Sequence, residues 1–356
     1  MGDILVLLDH RDMIVKTEGQ VLRIERPDRK PERIPINMID RVVVYGSPMV
    51  SCDVWRKLAD SSIPAVLFPG RGKGGPAWLG SGLSTSVMIR LAQHRGAGSL
   101  AVSTEIARFL IGRKLAVQEK LLELLCREDD NEPVCTIFDA GIIDRAATAG
   151  ETLHRCRLAV EGADNPDAIR GHEGIGATAW FSFLAETLPG KWNFSGRNRR
   201  PPRDPVNGLL SLSYTMALSE VRHVVQQRGL DPCIGFLHRP RAGRESLLLD
   251  ILEPVRPAID GFMLELIHGI LTPEHFTSSG TTGCRLNKEG RRIYYSHWAQ
   301  RRLNWPAWNL DFEDFLSDSD STTKNEEIPL RRTVSAIVLA LTDILQQYYD
   351  TPTPTQ

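Results

Sequence analysis

The sequence predicts an α+β protein: a small N-terminal β-sheet domain over residues 1–82, a larger all-α domain over 83–350, and a disordered tail at 351–356. Three observations carry this prediction. Short β-branched and apolar runs separated by polar turns fill the N-terminal part. From about Thr85 the apolar period changes from that of strands to that of helices and stays so. A chain of 356 residues is also too long for one ordinary core.

In the first part, the runs at 4–8, 21–24, 42–45 and 63–68 read as strands, with a short helix at 54–58. Gly70, Gly72 and Gly75 formally match a dinucleotide-binding loop. Such a loop must open a helix directly, and here Pro76, Trp78, Gly80 and Gly82 follow; Lys73 precedes Gly74 rather than Ser or Thr, so the P-loop pattern fails too. The stretch reads as a hairpin loop. The run 103–125 then repeats apolar residues at helical spacing, through Ile106, Leu110, Leu115, Leu121 and Leu125. An acidic loop at 127–133 separates it from a second helix at 142–160. A third helix starts after Asn165-Pro166 and a fourth after Asp204-Pro205, both sound helix-opening pairs. An acidic, Ser/Thr-rich connection at 311–327 precedes a final amphipathic helix at 330–349.

Composition excludes several functions. Lys and Arg number 43 against 44 Asp and Glu, so nucleic acid cannot be held by bulk charge and any contact with it is local. Six scattered cysteines with no CxxC pair argue against a zinc ribbon and a disulfide framework. No signal peptide and no apolar run of about 18 residues is visible, so a cytoplasmic setting with no membrane contact is expected.

Candidate chemistry gathers at 231–257. His238 stands in a short loop, Glu253 follows fifteen positions later, and Asp250 lies three residues before it on a predicted helix. Residues three apart lie about 60° apart around a helix, so both carboxylates are expected to address one object. Imidazole and carboxylate donors suit Mg²⁺ or Mn²⁺, while Arg239, Arg241 and Arg244 suit a phosphate-bearing substrate. The plainer alternative is a helix with a solvated acidic edge. Glu173 falls inside the apolar stripe of the third helix, between Ile169 and Trp180. A carboxylate there must be protonated, paired or metal-bound, because burying it alone costs several kcal/mol. The HExxH zinc motif fails, since its second histidine position holds Gly176. Finally, Arg197, Arg199, Arg200 and Arg203 lie in a basic loop beside Trp192 and Phe194, a mixture that fits a phosphate backbone and unpaired bases. A solvated loop is the alternative there.

The segments HEGIGATAWF, GFLHRPRAGRESL and LDILEPVRP, with GRNRRPPRDPVNGLLSLSY and GCRLNKEGRR, resemble the CRISPR-associated integrase family Cas one over nearly the whole chain. The resemblance implies that Glu173, His238 and Glu253 are metal ligands and catalytic residues, with ligand atoms converging within about 5 Å. By the same likeness Asp250 is an auxiliary ligand or sits behind the ligands. Implied activity is metal-dependent endonuclease and integrase chemistry, inserting short DNA fragments into a CRISPR array by attack of a 3′-hydroxyl on a backbone phosphate. Implied partners are double-stranded DNA with 3′ single-stranded ends, array DNA, and a second small protein, Cas two. Two homodimers, each formed through the β domain, would be bridged by a Cas two dimer. Two rival readings stand beside this: a metal-dependent nuclease acting on branched DNA, and a non-catalytic DNA-binding scaffold in which the three residues form an ion-pair network.

Overall fold

The computed structural model describes residues 3–27, 29–69, 75–80, 87–126, 142–199, 201–280, 283–305 and 329–350. Residues 70–74 of the hairpin loop predicted at 69–76, the loop at 127–133, the connection at 311–327 and the tail lie outside these residues. The chain divides into two compact units, Met1–Leu83 and Ser84–Gln356.

The first unit holds two four-stranded sheets. In one, β1 (Ile4–Leu8), β5 (Ile39–Tyr45) and β7 (Ala65–Phe68) run parallel, and β8 (Ala77–Leu79) closes the edge antiparallel. Strand β5 is buried along nearly its whole length, as a central parallel strand covered on both faces must be. The other sheet is the meander β4 (Arg29–Pro35), β3 (Val21–Arg26), β2 (Ile14–Glu18), with β6 (Met49–Val50) parallel to β2. Leu22 and Ile24 of β3 face the core at period two, while Arg23 turns outward onto Glu18 and Glu25. Helix α1 (Cys52–Asp60) adds Val54 and Leu58 to a core built with Val6, Leu8, Val15, Val42 and Val44.

The second unit is mostly helical: α2 (Val87–Ala97), α3 (Leu100–Leu125), α4 (Ile142–Gly162), α5 (Pro166–Thr187), α6 (Pro205–Gln227), α7 (Ser246–Leu252), α8 (Arg256–Ile267), α9 (Lys288–Arg301) and α10 (Leu330–Asp350). The expected all-α character holds except for a short hairpin of β9 (Phe276–Ser279) and β10 (Gly283–Leu286). No described helix is long and apolar enough to cross a membrane.

Helix α3 is the axis of this unit and packs on α2, α4, α5, α8 and α10. Its closest neighbours depend on one missing side chain. A Cβ at Gly176 of α5 would stand 2.8 Å from Leu115 Cδ2 on α3 and 3.3 Å from Leu153 Cδ2 on α4. A methyl at Gly176 must push the end of the Leu115 side chain aside, so in chemical denaturation Gly176→Ala is expected to forfeit the gain of up to about 1 kcal/mol that alanine brings to an open helix position. The control is Gly174→Ala, two residues away with nothing within 4 Å, which should stabilise the helix by up to about 1 kcal/mol. Equal effects at the two glycines would mean that α5 does not rest on α3 through this contact.

Candidate active site

Two of the helices that contribute to the site have starts fixed by capping side chains. Asn165 caps α5 by accepting from the Ala168 N–H at 2.8 Å, with Pro166 in its first turn. Asp204 caps α6 in the same way, accepting from Asn207 N at 2.8 Å. Helix α7 ends at Leu252, and residues Glu253–Val255 form a single 3-10 turn containing Pro254 before α8 begins. Proline lacks the N–H that a continuous helix would use there.

At the contact of α3, α5 and this turn lies a cluster of four charges. The Lys114 ammonium donates to Glu173 Oε1 and, at 2.8 Å, to Glu253 Oε2. Arg256 Nε donates to the other oxygen, Glu253 Oε1, at 2.9 Å. Lys114 and Glu253 side chains are only 5% and 6% exposed, whereas Glu173 retains 25%. The cluster thus opens to solvent on its Glu173 side. Burial by itself pushes the Glu253 carboxyl up, but the charges of Arg256 and Lys114 outweigh it and hold the group at about 2. Burial likewise pulls Lys114 down, yet Glu253 and Glu173 outweigh it and the ammonium is stabilised.

Behind Arg256 the network continues. Its guanidinium lies 4.6 Å from the centre of the Tyr214 ring, and that of Arg197 lies 5.5 Å from the same ring. The Tyr214 hydroxyl donates to Asp260 Oδ1, and Trp180 Nε1 donates to Asp260 Oδ2 at 2.8 Å.

His238 is placed by a second construction. Asp250 is fully buried and accepts from four N–H groups: Phe236 N at 2.6 Å, Leu237 N at 3.1 Å, His238 N at 2.9 Å and His238 Nδ1 at 2.7 Å. A carboxylate only accepts, so Nδ1 carries a proton, and whenever the ring is neutral Nε2 is the nitrogen with the lone pair. The loop can wrap so tightly because Gly235 has no side chain: a Cβ there would sit 2.7 Å from Asp250 Oδ2. Gln93 of α2 fastens the same loop through Asp231 O, Ile234 O and Asp231 N. Arg170, one turn before Glu173, donates to Leu237 O at 2.9 Å and ties α5 to the histidine loop.

Several expectations change here. Asp250 and Glu253 do not address one object: Asp250 is used up by the histidine loop, while Glu253 turns to Lys114 and Arg256. Among the described residues no three His, Cys, Asp or Glu side chains are gathered closely enough to hold a metal ion. Glu173 and Glu253 do meet, with Lys114 between them. Trp192 and Phe194, expected to stack on bases, are buried, and Trp192 packs edge-on against Phe276; an aromatic ring's large apolar area favours the core. Arg197 faces inward to Asn198 O, Asn207 Oδ1 and Ser211 Oγ, which makes it a brace of the loop rather than an outward contact. Arg199 and Arg203 are exposed, and Arg200 lies outside the described residues. Arg239 pairs with Asp167, Arg244 donates to Ser246 Oγ and Arg239 O, and Arg241 is exposed.

Lys114, Arg256, Tyr214 and Asp260 were not anticipated. Lys114 carried a legible signal, since it interrupts the α3 stripe four residues after Leu110, as Glu173 interrupts that of α5. Asp260 yields a test of the buried network. Burial pushes its carboxyl up to about 6, against the Tyr214 hydrogen bond and the Arg256 charge. An acid with a raised folded pKa keeps its proton when the unfolded chain has lost it, so stability falls as pH rises from about 4 to about 6. Relative to Asp260→Asn, the native protein should lose on the order of 2–3 kcal/mol across that window, measured by urea unfolding. A constant difference would mean that Asp260 is ionised throughout.

A family model described as CRISPR associated protein Cas1 matches residues 6–300. A protein named CRISPR-associated endonuclease Cas1 2, from Rhodospirillum rubrum, is 31% identical over 297 residues, covering 81% of this chain and 83% of its own. Among solved structures, a casposase bound to integration product has a TM-score of 0.77 at 19% identity, covering 100% of this chain and 95% of that one. A Cas6-RT-Cas1–Cas2 complex gives 0.74 at 21% identity, covering 97% of this chain and 35% of the other. At such identities the solved structures speak for the shared α+β fold. The family model and the bacterial relative span most of the sequence, and the chain belongs to the Cas1 family of CRISPR-associated proteins.

Proposed function

We propose that this protein is a metal-dependent DNA integrase that inserts short fragments into a CRISPR array. The observation that carries the reading is the meeting of Glu173 and Glu253, 80 positions apart in sequence, around one positive charge, with the His238 loop tied by Arg170 to the helix that bears Glu173. By type, two carboxylates and an imidazole nitrogen are donors that suit Mg²⁺ or Mn²⁺, although with Lys114 in place the three are not drawn together around one point. The place between the two carboxylates is, moreover, one where the chain already holds a cation, the Lys114 ammonium. Glu173, Glu253 and His238 Nε2 would hold the ion, and Asp250 would orient the histidine from behind. Bound there, the ion supplies stabilisation of charge developing on a phosphate and eases loss of the proton from an attacking hydroxyl.

The remaining work belongs to the protein. Arg256 fixes Glu253 from its second oxygen, so the carboxylate cannot rotate away. The 3′-oxygen of the incoming fragment gives up its proton and bonds to an array phosphorus, the P–O3′ bond of the array strand breaks, and the released O3′ takes up a proton to leave as a 3′-hydroxyl. One phosphodiester replaces another, and no protein nucleophile is required. Arg199, Arg203 and Arg241, with Arg200, would hold phosphates near the reacting ends, while Arg197, Arg239 and Arg244 brace the loops that carry them.

Glu173→Gln, His238→Ala and Glu253→Gln should each abolish strand joining of a labelled fragment into array DNA. The same proteins should bind that fragment as tightly as native or more tightly, because no phosphate contact is lost. Replacing Arg199 and Arg203 together should instead weaken binding and flatten its salt dependence by about 0.9 in slope per lost duplex phosphate contact. Joining that survives all three site changes would remove the catalytic assignment.

The wider assembly is read from the family. A homodimer formed through residues 1–82 and bridged to a second by a Cas2 dimer suits two-ended insertion in the cytoplasm. Strand β4 supports a partner at this unit: all but one of its residues are exposed along a sheet edge, which ordinarily needs cover. Light scattering should give a dimer for the full chain at tens of micromolar and a monomer once residues 1–82 are removed. A truncated chain that still dimerises would place the contact elsewhere.

A further inference from the structure

We infer that Lys114 is a built-in competitor for the metal: its ammonium occupies the position between Glu173 and Glu253 that a divalent ion would take, so the ion binds by displacing it. This rests on the reading of those two acids as metal ligands. The geometry is specific. Lys114 Nζ touches one oxygen of each carboxylate, and its stem is enclosed on α3, which Gly176 allows to lie against α5. A divalent ion bonds carboxylate oxygens at about 2.0–2.6 Å, so an ion shared by these same two oxygens lands close to the ammonium nitrogen. The two cannot coexist there.

Charge gives the same answer. Glu173 and Glu253 balance Lys114 and Arg256, so the buried cluster is neutral as it stands. A divalent ion added while Lys114 stays would leave the cluster two charges positive, and the lysine's departure halves that excess, which makes displacement the less costly course. Of the two bases, Lys114 is the one able to leave. Its ammonium ends a flexible four-carbon stem and makes point contacts, whereas Arg256 is pinned under the Tyr214 ring. Lys114 is accordingly a positioning residue. It holds the two acids side by side before the ion arrives and keeps the affinity of the site low.

Mn²⁺ binding followed by electron paramagnetic resonance tests this on the full-length protein without DNA. Lys114→Met, which keeps the stem and removes the charge, should bind Mn²⁺ at least tenfold more tightly than native, and Lys114→Arg no more tightly than native. Adding Glu173→Gln to Lys114→Met should abolish the gain, which assigns the ion to this site. Equal or weaker binding by Lys114→Met, with the Glu173 dependence intact, overturns the inference alone. Binding that ignores Glu173 in every protein overturns the metal-site reading and this inference with it. Should Lys114→Met fail to fold, the native protein carrying ¹³Cε-labelled lysine gives the answer by NMR. Mg²⁺ should shift one resonance, the one missing in Lys114→Arg, and an unmoved resonance overturns the proposal.

Discussion

The structure depends on keeping Glu253 charged in a place with almost no water. A lone carboxylate so buried would cost several kcal/mol or take up a proton. Lys114 and Arg256 prevent both, one from each carboxylate oxygen, and Lys114 extends the same compensation to Glu173. Since these groups come from α3, α5, the turn after α7 and α8, satisfying the charge also fixes how those elements meet. Packing and chemistry are therefore one problem here: Gly176 lets α5 rest against Leu115 of α3 beside the Glu173–Lys114 pair, and Pro254 ends α7 where Glu253 turns toward the lysine.

The histidine is governed by a different rule. Asp250 gathers three backbone N–H groups and the ring Nδ1–H, so one buried acid folds a loop, sets a tautomer and aims a side chain together. A metal-binding imidazole requires support of this kind, which agrees with the role proposed for His238. Gln93 and Arg170 then join this loop to α2 and α5, which keeps it registered with the acids although no covalent link enforces that.

Much of this was legible in the residues, and the failures share a cause. The helix openings at Asn165-Pro166 and Asp204-Pro205 were readable because capping is local chemistry. Glu173 was readable because a carboxylate in an apolar stripe demands a partner, and the same argument applied to Lys114 would have named that partner. By contrast β4 lacks any apolar alternation, since an exposed edge strand has no face to bury; its sequence gives no period to detect. The hairpin β9–β10 is likewise short and partly exposed. Helical spacing predicts one site for Asp250 and Glu253, but spacing fixes only direction, and competing donors decide what each oxygen meets. Trp192, Phe194 and Arg197 looked like a nucleic-acid surface because composition does not report which side of a loop is buried.

The central claim is that these charges form a strand-joining site, and sequencing of reaction products tests it most directly. The full-length protein would be incubated with Mg²⁺ or Mn²⁺, a labelled fragment bearing 3′ single-stranded ends and a plasmid carrying an array. The predicted result is junctions in which the fragment's 3′ end is bonded to an array strand, absent when Glu253→Gln replaces the native protein. Cleaved strands without any such junction, on branched DNA in particular, would contradict the account and leave a nuclease in its place.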